Sequence, residues 1–519
     1  KEGLDSVVVA SCAPTVHQTI LSDSLSKAGL LPNQLEFADF RSIEWRNGDE
    51  GTKIAIQLVK EAIDRLRERP PIDPIKISVV KKALVVGGGV SGMQAALDIA
   101  NGGYEVYLVE RTSSVGGNMI RYSEVFPTLD CPQCILTPKM VEVAQHPNIK
   151  LLAFTEVESC SGYPGNFKVK LRRKATYVDW DKCTGCGECA EACPVSFDGI
   201  FERGMAKQKA IYMPFAQAVP SKYVRDTDHC LRTTKGVDCR RCEKACQAEA
   251  IVNDMEDRFE EIEVGAIVLA TGFDLLSKAA IQEYEEDPDI IDPIQFERIL
   301  CPSGPSSGVP FRPSDGKAPK EVVFIQCVGS RDPEQNKPYC SRVCCMYTAK
   351  LALLYKHADH DGQAYIFYMD IRSDGKGYEE FVQRAQEEAG VYYIRGRVSK
   401  IFREGDKIMV WGADTLSNKR IEIAADLVVL ALAMVPRADS AEVAEKFGIN
   451  VSELGFFNEN HPKLSPLETP VQGIFVTGPA QAPKDIPESC GQASAAAGKV
   501  LSILARDELI YYPKEVVST

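Results

Sequence analysis

Eight cysteines between residues 183 and 246 fall into two regularly spaced runs. The first run is Cys183-x2-Cys186-x2-Cys189-x3-Cys193-Pro194, and the second is Cys230-x8-Cys239-x2-Cys242-x3-Cys246. The first spacing is typical of bacterial ferredoxins, in which three thiolates bind one [4Fe-4S] cube and the fourth binds a second cube. Zinc is the competing interpretation, but structural zinc sites usually pair two C-x-x-C knuckles and need no trailing proline. The crossed pattern predicts two clusters, one on Cys183, Cys186, Cys189 and Cys246 and the other on Cys193, Cys230, Cys239 and Cys242.

Four further cysteines have a less usual spacing, Cys327-x12-Cys340-x3-Cys344-Cys345. Adjacent thiolates rarely bind one cube. However, Cys344 and Cys345 are predicted to open the helix CCMYTAKLALLYKH, whose N-terminal dipole would stabilise an anionic cluster. The spacing alone favours a third cluster and four buried thiols about equally.

The sequence predicts no cluster at the remaining cysteines. Cys131 and Cys134 form a C-x-x-C that fits either a redox dithiol or part of a cluster, and no role is assigned to them. Cys12 is interpreted as a buried thiol, and Cys160 and Cys301 as incidental.

Glycines at a strand-to-helix junction predict a dinucleotide site. Residues 87–92 satisfy G-x-G-x-x-G, which allows a tight turn and places a pyrophosphate on the helix N-terminus. Glu110 ends the next strand, where a carboxylate can accept both ribose hydroxyls. Three further pieces follow in order, namely Gly116-Gly117, a strand that ends in Ala270-Thr271-Gly272 and a strand that ends in Thr477-Gly478-Pro479. Together with the glycine turn they resemble the FAD domain of thioredoxin-reductase-like flavoproteins. The predicted FAD-binding residues are Gly87, Gly88, Gly89, Val90, Ser91, Gly92, Glu110, Arg111, Gly116, Gly117, Thr271, Gly272, Gly478 and Pro479.

Such flavoproteins carry a second glycine motif for NAD(P)H, expected here after the strand EVVFIQC at 321–327. The sequence continues from Cys327 as Val-Gly-Ser-Arg, with a single glycine. This departure predicts that electrons reach the flavin by a route other than a nicotinamide.

Alternating strands and helices must position these motifs. They predict an α/β fold, in which a thioredoxin-reductase-like FAD-binding domain of Rossmann type carries an inserted α+β ferredoxin module. The predicted boundaries are 1–76 for a small N-terminal α/β domain, 77–178 and 256–505 for the two parts of the FAD domain, 179–255 for the insertion and 506–519 for a tail. The N-terminal domain is expected to be incomplete, because the chain opens on Lys-Glu-Gly. Residues 194–229 exceed what a compact ferredoxin needs and are expected to form a docking surface.

Composition restricts the class of protein. A net charge of -13 excludes a broad nucleic-acid-binding face, and no apolar run is long enough to span a bilayer. Eighteen clustered cysteines in 519 residues do not fit a disulfide scaffold, and they favour a reducing, cytoplasmic location.

Four stretches together resemble the A subunit of the cytoplasmic heterodisulfide reductases and its homologues. They are GGGVSGMQAALDIANGGYEVYLVERTSSVGG, FPTLDCPQCILTPKM, CTGCGECAEACP and QCVGSRD with YCSRVCCMYTAK. The resemblance implies that the flavin bifurcates electrons from a two-electron donor to ferredoxin and to a heterodisulfide. It also implies that Cys327, Cys340, Cys344 and Cys345 hold a cluster, and that Lys350 lies near the flavin N5 with Glu297 close by.

The resemblance also implies partners, namely heterodisulfide-reducing subunits, a hydrogenase or formate dehydrogenase module, ferredoxin and a second copy of the chain.

Two departures from the family are expected to matter. No cysteine follows Cys490, so the C-terminal ferredoxin module of many relatives, and with it the usual exit to ferredoxin, is expected to be missing. Where relatives often carry a cysteine before a tryptophan, this sequence has Ile43-Glu44-Trp45.

Three other functions remain open on the sequence alone. One is a non-bifurcating relay in a quinone-interacting, membrane-associated oxidoreductase. Another is a stand-alone flavoenzyme with a Cys131/Cys134 redox dithiol, and the last is a protein whose clusters are only structural. Missing NAD(P)H glycines disfavour the stand-alone enzyme, and the density of redox motifs disfavours a structural role.

Overall fold

The computed structural model describes residues 4–11, 14–40, 48–69, 75–281 and 287–511. Cys12 and residues 43–45 lie outside the described residues. The α-helices are Pro14–Lys27, Asp49–Glu68, Val90–Asn101, Pro132–Gln145, Glu188–Glu191, Leu231–Thr234, Arg241–Ala245, Pro293–Leu300, Cys344–Ala358, Tyr378–Glu387, Ser440–Phe447 and Ile486–Leu504. Within the described ranges, none of these helices is both long and apolar enough to cross a membrane.

A five-stranded parallel sheet, here called the first sheet, carries the predicted FAD motifs. Its order is Ile474–Val476, Ala266–Leu269, Lys82–Val86, Glu105–Glu110 and Ile149–Ala153. Its central strands read as continuous apolar runs because both faces are covered, one by helices such as Val90–Asn101 and the other by an antiparallel sheet. Ala83, Leu84 and Val268 are fully buried. All strands run in the same direction, so their carboxyl ends meet at one edge. Ligands bind at this edge in open α/β sheets.

A second parallel sheet follows in the later chain. Its order is Ile290–Ile291, Leu427–Leu432, Glu321–Val328, Gln363–Tyr368 and Tyr392–Arg395. The α/β class is therefore confirmed. Antiparallel strands flank the two parallel sheets: Thr155–Tyr163, Asn166–Arg173 and Arg258–Val264 form one three-stranded sheet, Val398–Glu404, Lys407–Asp414 and Lys419–Ala425 form another, and Asp274–Leu275 pairs with Met434–Val435.

The cysteine-rich insertion lies between strands of the FAD part and has little regular structure. Its strands are the pairs Ser196–Asp198 with Lys207–Lys209 and Ile211–Tyr212 with Val224–Arg225. A small core that includes Val178, Ala210, Ile211 and Ala250 packs against the cysteines. With so small a core, bound clusters would supply much of the cohesion of this module.

The two ends of the described chain differ in organisation. Near the N-terminus, Val7–Ser11 and Leu35–Asp39 form a parallel pair. Ile75–Ser78, which spans the boundary predicted at residue 76, pairs with Glu508–Tyr511, at the start of the predicted tail. This pairing joins both segments to the flavin-binding part of the fold.

Candidate flavin and iron–sulfur site

A cavity of about 990 Å³ lies at the carboxyl edge of the first sheet. Among the parts of the chain that line it, three carry predicted cofactor motifs. The glycine turn and the neighbouring strand ends contribute Gly87, Gly89, Glu110 and Thr271, and the insertion contributes Ile200, Phe201, Arg203, Gln208, Tyr212, Pro214 and Phe215. The helix Cys344–Ala358 contributes Tyr347 and Lys350. The cavity therefore joins the predicted flavin motif to both predicted iron–sulfur regions.

The glycine turn is built so that only glycine fits at two positions. Gly87 has φ +111°, and a Cβ there would lie 2.3 Å from the carbonyl oxygen of Ala270. A Cβ at Gly92 would lie 1.8 Å from the carbonyl oxygen of Gly87, so the helix packs directly on the turn. Gly89, the residue before the helix Val90–Asn101, makes no side-chain cap, and the first-turn N–H groups stay available to an anionic ligand.

Glu110 is held in place beside this turn. Its Oε2 accepts a hydrogen bond from the Gly88 N–H (2.7 Å), and its Oε1 accepts from the N–H and hydroxyl of Thr112 (2.8 Å each). The carboxylate is 9% exposed and faces the cavity. Each oxygen keeps lone pairs for further donors, as a ribose diol would provide.

The other predicted FAD residues divide into those that line the cavity and those that shape its turns. Val90, Ser91, Arg111, Gly117, Gly272 and Pro479 line it. Gly88, Gly92, Gly116 and Gly478 do not line it but shape the turns, for example through the hydrogen bond from the Gly116 N–H to the Gly88 carbonyl oxygen (2.8 Å). The Thr271 hydroxyl is buried in the cavity wall without a hydrogen-bond partner among the described residues. An unpaired buried hydroxyl, a bare helix N-terminus and a fixed carboxylate fit a dinucleotide such as FAD.

Lys350 and Glu297 form a buried ion pair in the cavity wall. Their side chains are 2% and 4% exposed. Lys350 Nζ donates to the Glu297 carboxylate and to the carbonyl oxygen of Glu124 (2.9 Å). Glu297 Oε2 also accepts from the N–H and hydroxyl of Ser123, at 2.9 and 2.7 Å. The structure thus brings together two residues that are 53 positions apart in the sequence, and it places a fixed positive charge against the cavity.

The insertion brings its cysteines together in the two predicted sets. Burial raises the pKa of Cys189 to about 12, and the nearby sulfurs of Cys183, Cys246 and Cys186 add to the shift. Cys193, Cys230, Cys239 and Cys242 line one small cavity of about 20 Å³. Thiols with raised pKa values stay protonated until a metal displaces the protons, so cluster assembly would release protons.

The second set also lies next to the flavin cavity. Ile211 and Tyr212 are neighbours on one strand, and successive side chains of a strand point to opposite faces. Ile211 lines the cavity of the four cysteines, whereas Tyr212 lines the large cavity. One strand therefore separates these two sites.

The third group of cysteines gathers at the carboxyl end of the strand Glu321–Val328. The helix begins at Cys344, as predicted from the sequence. Burial raises the pKa of Cys345 to about 11, and the neighbouring sulfurs of Cys327 and Cys340 raise it further. The hydroxyl of Tyr347, which lines the flavin cavity, lies beside Cys344; burial and this neighbouring thiol raise the Tyr347 pKa.

In the described part of the chain, no group of three or more His, Cys, Asp and Glu residues is arranged to hold a single metal ion. A [4Fe-4S] cube presents its four irons at separate corners, one for each thiolate. Its ligands are therefore spread more widely than those of a mononuclear site.

Cys131 and Cys134 lie outside this constellation. Neither residue lines the large cavity. Cys131 caps the helix Pro132–Gln145 by accepting the Cys134 N–H at 3.3 Å, and the hydrogen bond between the two side chains raises the pKa of Cys134.

Sequence reasoning missed the contacts that fix the insertion on the helix of Glu297. Arg298 is 1% exposed, and its guanidinium donates to both carboxylate oxygens of Glu202, at 2.8 and 3.1 Å. Arg203 pairs with Asp292 at the start of the same helix (2.7 Å). The charged residue in the apolar segment PIQFERIL could have predicted such a contact, because a buried charged side chain is almost always paired with an opposite charge.

Comparison with known proteins gives two family matches. Residues 176–197 match a family described as 4Fe-4S binding domain, and residues 83–129 match a family described as FAD dependent oxidoreductase. The iron-sulfur A subunit of CoB–CoM heterodisulfide reductase from Methanocaldococcus jannaschii is 44% identical over 97% of this chain and 77% of its own length. The A subunit of the H2:CoB–CoM heterodisulfide,ferredoxin reductase of Methanothermobacter thermautotrophicus is 43% identical over 98% of this chain and 78% of its length. Among solved structures, thioredoxin reductase from T. acidophilum is similar with a TM-score of 0.47 and 14% identity, covering 82% of this chain and 100% of that chain.

Proposed function

The chain belongs to the A-subunit family of the heterodisulfide reductases, and we propose that it exchanges electrons between one FAD and three [4Fe-4S] clusters within such a complex. The observation that carries this proposal is the shared cavity wall. Residues of the glycine turn, of the insertion and of the helix Cys344–Ala358 all face one space. A flavin is the cofactor that can take up two electrons and pass them on singly.

We assign the FAD-binding role to the predicted glycines, Glu110, Arg111, Thr271 and Pro479. In this proposal Glu110 binds the ribose, and the first turn of the helix Val90–Asn101 binds the pyrophosphate. In the same proposal the three cysteine sets hold one cluster each. Tyr212 and Tyr347 line the FAD site, Tyr212 next to Ile211 of the second cysteine set and Tyr347 beside Cys344 of the third.

Lys350 and Glu297 supply charge and a proton at the cavity. The Lys350 ammonium stabilises negative charge on a neighbouring group, and its Nζ can pass a proton to or from that group while Glu297 holds it in place. Ser123 holds Glu297 in turn. Because all three are buried, water screens the field of this ion pair less than it would at the surface, and the Glu297 carboxylate offsets part of the ammonium's charge.

We further propose that the complex bifurcates electrons between a two-electron donor, ferredoxin and a heterodisulfide. The name of the Methanothermobacter relative, which includes both acceptors and H2, supports this assignment. The partners would be the heterodisulfide-reducing subunits, a hydrogenase or formate dehydrogenase module and ferredoxin. The free cysteines fit a reducing, cytoplasmic location. A Cys131/Cys134 dithiol enzyme is disfavoured because neither residue lines the cavity.

The test is a metal, flavin and redox analysis of anaerobically purified protein. We expect about twelve iron atoms per FAD, since each cube holds about four. NADH should reduce the flavin only slowly, and a redox titration should show the flavin taking up two electrons together. Iron near zero would overturn the electron-transfer assignment. Stable one-electron reduction of the flavin would refute bifurcation and leave a simple relay.

A further inference from the structure

The surface over the second cysteine set is basic in an otherwise acidic protein. The chain carries a net charge of -13. Around Cys230, Cys239 and Cys242, however, four exposed cations lie in one short stretch, here called the basic rim: Lys235, Arg240, Arg241 and Lys244. Arg241 and the partly buried Arg232 also line the small cavity of this set.

Most acidic groups of this stretch are already engaged. Asp238 accepts from Arg232 (3.0 Å) and from Arg240 (3.1 Å). Glu243 accepts a hydrogen bond from Asn253 (2.9 Å), and Asp226 accepts from backbone N–H groups and lies 3.1 Å from His229. Asp228 remains as an exposed carboxylate.

Three cations of the rim, by contrast, are not engaged. Within the described residues, Lys235, Arg241 and Lys244 form no ion pair with a carboxylate. All three are exposed, Arg241 lines the cavity of the cysteines, and Lys235 and Lys244 lie within five residues of a cysteine of this set.

The other cysteine set of the insertion has the opposite character. Asp181, Glu188 and Glu191 are exposed beside Cys183, Cys186 and Cys189. The cations nearby are the exposed Lys182 and the partly buried Lys222, whose Nζ donates to the Cys183 carbonyl oxygen (2.6 Å). The two faces of one small module thus differ in sign. The basic face covers the second cysteine set, and this is the set that the strand Ile211–Tyr212 separates from the flavin cavity.

We propose that the basic rim is the docking surface for a small acidic one-electron carrier protein of the ferredoxin class. An acidic carrier is repelled by most of this acidic chain, so a local basic face decides where it can approach. A charged rim acts mainly on the association rate, and its effect falls with salt. This inference rests on the proposed function, since a carrier needs a redox centre beneath the surface on which it docks.

The test compares charge-reversed variants of the complete, cofactor-loaded protein. Lys235→Glu/Lys244→Glu reverses two exposed charges of the rim. Lys419→Glu/Arg420→Glu is the matched control, because it makes the same change in net charge at exposed positions on the strand Lys419–Ala425. The probe is an oxidised, purified 2[4Fe-4S] ferredoxin, and the readout is its association rate constant and Kd, measured across a range of ionic strength.

We expect the rim variant to associate about tenfold more slowly at low salt, with the difference vanishing near 1 M salt, where the Debye length is about 3 Å. The control should stay near the unaltered protein. Equal slowing in both variants would show a net-charge effect and overturn the proposal. A rim variant with unchanged association but a shifted cluster potential would overturn it as well, because the cations would then serve only the cluster. Iron and FAD content, measured on the same samples, separates these outcomes from a failure of the proposed function.

Discussion

Replacing Lys350 by methionine removes the buried positive charge while keeping the side chain long and apolar. Glu297 would then remain as a carboxylate that is 4% exposed, held only by its two hydrogen bonds from Ser123. Removing one partner of a buried pair costs about 3–5 kcal/mol. Because Ser123 still stabilises the anion, we expect Lys350→Met to lower the free energy of unfolding by about 3 kcal/mol.

The assay is a double-mutant cycle with Glu297→Gln, followed by urea unfolding under anaerobic conditions. The double variant leaves no unpaired buried charge, so it should be less destabilised than the sum of the single variants by about 2 kcal/mol. In parallel, Lys350→Met should shift the flavin midpoint potential downward, because a cation next to the reduced flavin is lost, with iron per chain unchanged. Additivity within about 0.5 kcal/mol would refute the ion pair. Equal loss of iron and FAD would show that Lys350 is only structural.

Other contacts of the site give three more expected outcomes. Arg298→Met should loosen the insertion, because Glu202 loses both of its hydrogen bonds. Since Glu202 is 20% exposed, we expect the free energy of unfolding to fall by about 2–3 kcal/mol. Faster proteolysis of the insertion would report this loss. Cys344→Ser should remove about four iron atoms per chain and leave FAD bound, and unchanged iron would exclude the third cluster. Burial lowers the pKa of Lys484 to about 8, below the value of about 10.4 for an unfolded lysine. The unfolded chain therefore binds this proton more tightly than the folded chain. As a result, the contribution of Lys484 to the free energy of unfolding rises with pH between the two pKa values. Apo-protein carrying Lys484→Met should lack this contribution, measured as the difference in urea midpoints at about pH 8 and about pH 10.

The parts that sequence reasoning predicted are those fixed by local chemistry. The turn at Gly87 must be glycine because a side chain would collide with Ala270, and such a constraint is visible in the sequence as a motif. The strand and helix types follow from apolar runs, which explains why the helix at Cys344 begins where it was predicted. The sequence also indicated Glu297 and Lys350, although only through family resemblance.

The parts that escaped prediction depend on contacts between distant segments. Glu202 and Arg298 are 96 residues apart, and no local pattern reveals that they pair. The extra length of residues 194–229 suggested a docking surface. Within the described chain, part of this segment contacts the helix Pro293–Leu300 and lines the flavin cavity. The strand between Ile75 and Ser78 was likewise not visible, because its partner lies at the other end of the chain.

The insertion also forms one side of the flavin cavity. Since Phe201, Tyr212 and Phe215 line the large cavity, the module limits how easily water and dioxygen reach a cofactor bound there. Cutting it out would do more than remove two electron carriers, because it would open one side of that space to solvent. A ferredoxin from another protein grafted between the same strands would need to reproduce these aromatic contacts as well as the cysteines, or the flavin would lose its electrons to oxygen.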